Sequence, residues 1–229
     1  MLNIKNLSAC YGESRVIDHL NLEVFQGKIV CLIGRNGVGK STTLKSIMGL
    51  VKTPQGSILM DGKEIIKMPA YDRARLGIGY VPQGRDIFPQ MTVQENIELG
   101  LLKSGEKKVP DYIYELFPIL PEFAKRKGGD LSGGQQQQLA IARALAAKPK
   151  ILILDEPTEG IQPSIIENIG DAIKKVNKDL GITVFIVEQY LDFVLGISDY
   201  LYLMEKGNII LQGETKKMDK EEVQKMMTE

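Results

Sequence analysis

Along the chain, the spacing of apolar residues changes period several times. Leu20, Leu22 and Val24 alternate with Asn21 and Glu23, the two-residue period of a strand with one buried face. Between Ser57 and Ile65 an Asp61-Gly62 pair separates two apolar arms, which predicts a tight hairpin. Together these predict an antiparallel sheet near the N-terminus. Residues 29–33, 151–154 and 183–187 are short, continuous apolar runs, as expected of strands buried on both faces of a parallel sheet. Helical patterns lie between them. Ile166, Ile169, Ile173, Val176 and Leu180 share one helical stripe, with Pro163 suited to the first turn and Gly181 to the stop. Residues from about 86 to 148 lack a strong strand pattern and read as a mostly helical insertion. Residues 201–211 look like a closing hairpin, and a charged helix follows from about Asp219. The fold class is therefore α/β with a central parallel sheet, and residues 1–229 form one domain.

Composition removes several function classes. At 229 residues with 43% hydrophobic content the chain can build a core without disulfides. Cys10 and Cys31 show no metal spacing and read as small buried hydrophobes in a reducing compartment. His19 is the only histidine, which argues against a zinc site or a histidine triad. The 29 basic and 29 acidic residues balance, so no nucleic-acid partner is expected. The start does not read as a signal peptide, and no apolar run approaches the roughly 18 residues of a membrane span. Any role at a membrane must pass through a partner.

The chemistry is concentrated in three motifs. Gly34-Arg35-Asn36-Gly37-Val38-Gly39-Lys40-Ser41, followed by Thr42, fits the phosphate-binding pattern G-x-x-x-x-G-K-[ST]. It follows a buried strand and opens a helix, the context the pattern requires. Glycines allow backbone N–H groups to turn onto phosphate oxygens, and the helix start adds partial positive charge. Lys40 is placed for the β- and γ-phosphates of ATP and the Ser41 hydroxyl for Mg²⁺. Second, residues 151–154 deliver Asp155 and Glu156 to a strand end. Asp155 can hold Mg²⁺ through water, and Glu156 can orient and deprotonate the attacking water. Third, Leu131-Ser132-Gly133-Gly134-Gln135 precedes a helix and can form a second anion cradle. One nucleotide does not need two γ-phosphate cradles in one chain. Two subunits arranged head to tail would let Ser132, Gly133, Gly134 and Gln135 close in trans on the partner's ATP.

Leu131 to Gln135 resembles the signature sequence of the ABC ATPases, and the resemblance extends over essentially the whole chain with the motifs in family order. It implies a P-loop NTPase with a RecA-like core, an N-terminal antiparallel β subdomain and a helical subdomain carrying the signature. It further implies that Tyr11 stacks on adenine and that Gln83 touches Mg²⁺ and senses the membrane partner. The segment from Gln83 to Gln94, with Arg85, Phe88 and Met91, is the candidate docking surface, with a core-packed loop as the alternative.

Two positions depart from the family pattern. Gln189 stands where a histidine usually contacts the γ-phosphate, and Gln162 lies near the place of an aspartate that crosses the dimer. An amide can donate to phosphate but cannot become cationic. Both departures fit importers with two different ATPase subunits, so a second, non-identical ABC ATPase is the expected partner. Residues 129–138, 155–166 and 188–190 resemble the urea importers within the branched-chain amino-acid class. The resemblance implies a peripheral subunit on the cytoplasmic face of the membrane. It would bind transmembrane permease subunits and, through them, work with a solute-binding protein. Branched-chain amino-acid import is the alternative solute assignment. A soluble ABC-type ATPase acting on ribosomes or DNA, and a regulatory subunit without turnover, are the alternatives of other classes.

Overall fold

Strands β1 (Leu2–Tyr11), β2 (Ser14–Val24) and β3 (Ile29–Ile33) lead into helix α1 (Lys40–Met48). Then come β4 (Lys52–Met60), β5 (Lys63–Glu64), α2 (Ala70–Arg75) and β6 (Ile78–Val81). Four helices follow: α3 (Val93–Ser104), α4 (Asp111–Leu116), α5 (Ile119–Glu122) and α6 (Gly133–Ala146). The chain then alternates β7 (Ile151–Asp155), α7 (Pro163–Leu180), β8 (Thr183–Glu188) and α8 (Leu191–Ile197). It finishes with β9 (Tyr200–Glu205), β10 (Asn208–Glu214) and α9 (Lys220–Thr228). The structure is a computed structural model and describes residues 1–228.

Two sheets organise the chain. The first is antiparallel in the order β2-β1-β4-β5, and its last hairpin turns at Asp61 and Gly62. Both residues take positive φ, 49° and 80°, as a two-residue type I′ turn demands. The second sheet has the order β10-β9-β3-β8-β7-β6, parallel throughout except for the β9–β10 hairpin.

The continuous apolar runs now have a physical reason. Side chains alternate across a strand, and each central strand feeds two separate cores. Cys31, Leu152, Leu154, Val184 and Ile186 point into a core shared with α3, α6, α7 and α8. Val30, Leu32, Ile151, Ile153, Phe185 and Val187 point the other way, into a core shared with the antiparallel sheet. Helix α1 lies in that second core through Leu44, Ile47 and Met48, so it is held between the two sheets.

Arg73 fixes the far end of α1. It is 2% exposed and donates to the carbonyls of Ser46 and Ile47 at 2.7 and 2.8 Å. These belong to the last turn of α1, whose carbonyls have no partner within the helix. The same guanidinium donates to Met68 O and Ile66 O at 2.8 and 2.6 Å, tying α2 to α1.

The sequence expectations need three adjustments. Leu180 is 41% exposed, because it is the last residue of α7 and its stripe ends at Val176. Cys10 is only half-buried, since it lies where the pairing of β1 with both neighbours shifts register; Cys31 is fully buried, and both thiols are free. Strand β6 is short, contains Gly79, and was not visible as a strand pattern.

Candidate functional site

Residues 34–42 join the end of β3 to the start of α1. Gly34 leaves β3 so close to β9 that a Cβ would collide with the carbonyl oxygen of Met204. Gly39, at φ 113°, turns the chain into the helix. Helix α1 has neither a side-chain cap nor an acidic residue in its first turn. Its first N–H groups therefore present an uncompensated positive end. Arg35, Asn36 and Gly37 are exposed, whereas Val38 and Ser41 are half-buried and Gly39, Lys40 and Thr42 are buried. Arg35 reaches out of the loop: its Nε donates to Met227 O at 2.6 Å and its Nη2 to Thr228 O. The last turn of α9 is thereby held against the phosphate loop.

Lys40 stays inside the loop, 3% exposed. Its Nζ donates to Gly34 O and Arg35 O at 2.9 Å each and lies 3.2 Å from Glu156 Oε1. A buried cation is tolerable only when paired and hydrogen-bonded, and Lys40 is both.

Strand β7 brings the acidic pair to the same place. Asp155 is 1% exposed, and its Oδ1 accepts from Ser41 Oγ at 2.9 Å. Tyr80 Oη donates to Asp155 Oδ2 at 3.4 Å. Burial pushes the Asp155 carboxyl above the usual aspartate range; the Ser41 hydrogen bond opposes this and the neighbouring Glu156 adds to it. Glu156 has φ 47°, and its N–H donates to Val187 O at 2.9 Å. Holding a non-glycine residue there costs about 1–3 kcal/mol. Gln83 Nε2 donates to Glu156 Oε2 at 3.3 Å and to Glu159 Oε2 at 3.0 Å. A cavity of about 250 Å³ is lined by Asn36, Gly37, Gly39, Lys40, Ser41, Thr42, Gln83 and Glu156.

The other expected site residues lie around this centre. Tyr11 ends β1, pairs with Ser14, and is 48% exposed. Gln189 is exposed just beyond β8, with its N–H bonded to Glu188 Oε2 at 2.8 Å. Ser132 caps α6: its Oγ accepts from Gln135 N–H at 3.4 Å, while Gln135 Oε1 accepts from Ser132 N–H at 2.9 Å. Gly133 faces Arg85 and Gly134 faces Ile165, each too closely for a larger side chain to enter freely. Among the described residues no hydrogen bond or ion pair joins Ser132, Gly133, Gly134 or Gln135 to the loop 34–42.

Sequence reasoning missed Tyr80, Thr158 and Glu188. Thr158 N–H and Oγ1 donate to Glu188 Oε1 at 3.0 and 2.7 Å. The available signal was that Glu188, like Asp155, ends a continuous apolar run. The chemistry of the centre suits Mg²⁺, which favours oxygen ligands and needs few from the protein when phosphates and water complete its shell. Ser41 Oγ and Asp155 Oδ1, 2.9 Å apart, are oxygens of that kind, and Gln83 stands beside them with its Nε2 on Glu156 and Glu159.

Known proteins share both the pattern and the fold. The family model described as ABC transporter matches residues 17–159. The high-affinity branched-chain amino acid transport ATP-binding protein BraG of Pseudomonas aeruginosa is 40% identical over 214 residues, covering 92% of this chain and 91% of BraG. A nucleotide-free ATP-binding cassette from an ABC transporter superposes with a TM-score of 0.84 at 30% identity, over 100% of this chain and 95% of that one. A dimeric cassette in a post-hydrolysis state, bound to ADP and Pi, gives 0.84 at 28% identity, over 95% and 100%. The chain belongs to the ABC transporter family, as an ATP-hydrolysing cassette.

Proposed function

We propose that this cassette is the ATPase subunit of an importer and that loop 34–42 holds MgATP, with adenine against Tyr11. The observation that carries this is the meeting of four side chains: Ser41 bonded to Asp155 at 2.9 Å, and Lys40 3.2 Å from the adjoining Glu156. Bound Mg²⁺, held by Ser41, Asp155 and Gln83, would neutralise charge on the β- and γ-phosphates. Lys40 and the loop amides bind the phosphate oxygens. Glu156 orients a water for in-line attack and takes its proton, and the Gln189 amide donates to the γ-phosphate. Ser132, Gly133, Gly134 and Gln135 of a second, non-identical cassette complete the site in trans. Transmembrane permease subunits, at the cytoplasmic face, convert closure into transport, and a solute-binding protein feeds them. The segment 83–94, where Phe88 is 48% exposed, is the docking surface. No helix among the described residues is long and apolar enough to cross a membrane.

The solute we favour is urea or a short amide, on the resemblance carried by residues 129–138, 155–166 and 188–190. Branched-chain amino acids are the second reading, favoured by the similarity to BraG. In the assembled complex Glu156→Gln should retain ATP while hydrolysis falls by roughly 100-fold or more, the scale of a lost general base. Normal hydrolysis by that variant would remove Glu156 from its role. Uptake of labelled urea and leucine by cells carrying Lys40→Ala separates the solutes, since only the transported one should fail to enter.

A further inference from the structure

Glu188 ends β8 with its side chain 1% exposed. Among the described residues it takes part in no ion pair. Four neutral donors surround it instead. Oε1 accepts from Thr158 N–H at 3.0 Å and Thr158 Oγ1 at 2.7 Å. Oε2 accepts from Gln189 N–H at 2.8 Å and Tyr190 N–H at 3.2 Å. One oxygen therefore holds the loop two residues beyond Glu156, and the other holds the turn that carries Gln189. The strand ends are already side by side, with Asp155 paired to Val187 and Glu156 N–H on Val187 O.

We infer that Glu188 is a positioning residue for hydrolysis: its carboxylate fixes Glu156 and Gln189 in one relation, so that both meet the same phosphate together. A carboxylate suits the place because it only accepts. An amide offers one accepting and one donating end. However it is turned, its NH₂ group would face donors on one of the two segments and release that segment. Misplacing reacting groups by about 1 Å costs on the order of 100-fold in rate while binding contacts elsewhere survive.

The inference rests on the roles proposed for Glu156 and Gln189, so the test carries its own control. In the assembled complex, Glu188→Gln should bind ATP within about 3-fold of the parent and turn over about 10- to 100-fold more slowly. Gln189→Ala should slow the parent but add nothing to Glu188→Gln, because residues acting as a unit are not additive. Parental turnover by Glu188→Gln, a loss of ATP affinity matching the loss of rate, or multiplying effects in the double variant would each overturn the inference. If Glu188→Gln does not fold, Thr158→Val removes one donor to Oε1 and takes its place in the same cycle with Gln189→Ala. Glu156→Gln is assayed alongside. If it hydrolyses normally, the reading of the site fails; if it is inactive while Glu188→Gln is normal, only the inference about Glu188 fails.

Discussion

Asp155 is a carboxylate held where water barely reaches, and the protein meets that cost in order to keep it beside Ser41. Its raised pKa gives the sign of a pH effect. A carboxyl raised in the fold contributes stability that is fully present below its unfolded pKa and is lost as pH rises through the folded value. At neutral pH the charge therefore weighs against folding. Asp155→Asn keeps the acceptor for Ser41 and removes the charge. It should melt higher than the parent at pH 7 and be inactive. The advantage should shrink as pH falls towards the ordinary carboxylate range. Melting curves across pH check this, and a variant less stable at pH 7 would contradict it. Asp155 and Glu156 stand out in the sequence because four apolar residues precede them in a chain that also carries a phosphate-loop pattern. Glu188 follows an apolar run too, but its partner Thr158 is thirty positions away, and no local pattern announces a long-range hydrogen bond.

Elements were legible where burial imposes a period. The strands β3, β7 and β8 and the stripe of α7 are the clearest cases, since two cores force apolar residues onto both strand faces. Strand β6 was not, because it is short and Gly79 breaks the pattern. Arg73 was equally hidden, since arginines are seldom buried and its acceptors lie on other segments. Its substitution tests how much α1 depends on its distant end. Arg73→Ala removes the guanidinium from four carbonyls, of which Ser46 O keeps the Gly49 N–H, and should cost about 3 kcal/mol, given about 1–3 kcal/mol for each unsatisfied buried group and partial relaxation. The melting temperature should fall by roughly 6–12 °C. A change under about 1 kcal/mol would mean that water replaces the guanidinium without penalty.

At the scale of the molecule, the segment 132–135 makes no hydrogen bond or ion pair to loop 34–42 among the described residues, which supports the proposal that it serves a partner's nucleotide. The pairing we propose is with an unlike cassette, the direction in which Gln189 and Gln162 point. Mixed with a second cassette of its own transporter and ATP, this chain should form a heterodimer that hydrolyses faster than either alone. A stable, fully active homodimer, seen by mass and turnover, would contradict that. The two sheets and the helical insertion were readable in advance, and so was the expectation that residues 132–135 serve a partner, since one nucleotide does not need two cradles; which way the α6 start faces was not, because spacing in sequence carries no direction.

Arg35 belongs to the phosphate loop by its backbone and to α9 by its side chain. Anything fused downstream of α9 therefore loads a segment that is hydrogen-bonded to the nucleotide loop, whereas a fusion ahead of Met1 leaves β1 in its sheet. Preparations carrying a purification tag at the two ends should differ in measured ATP affinity, by titration under identical salt. Equal affinities would show that the α9 contact is inert towards the loop.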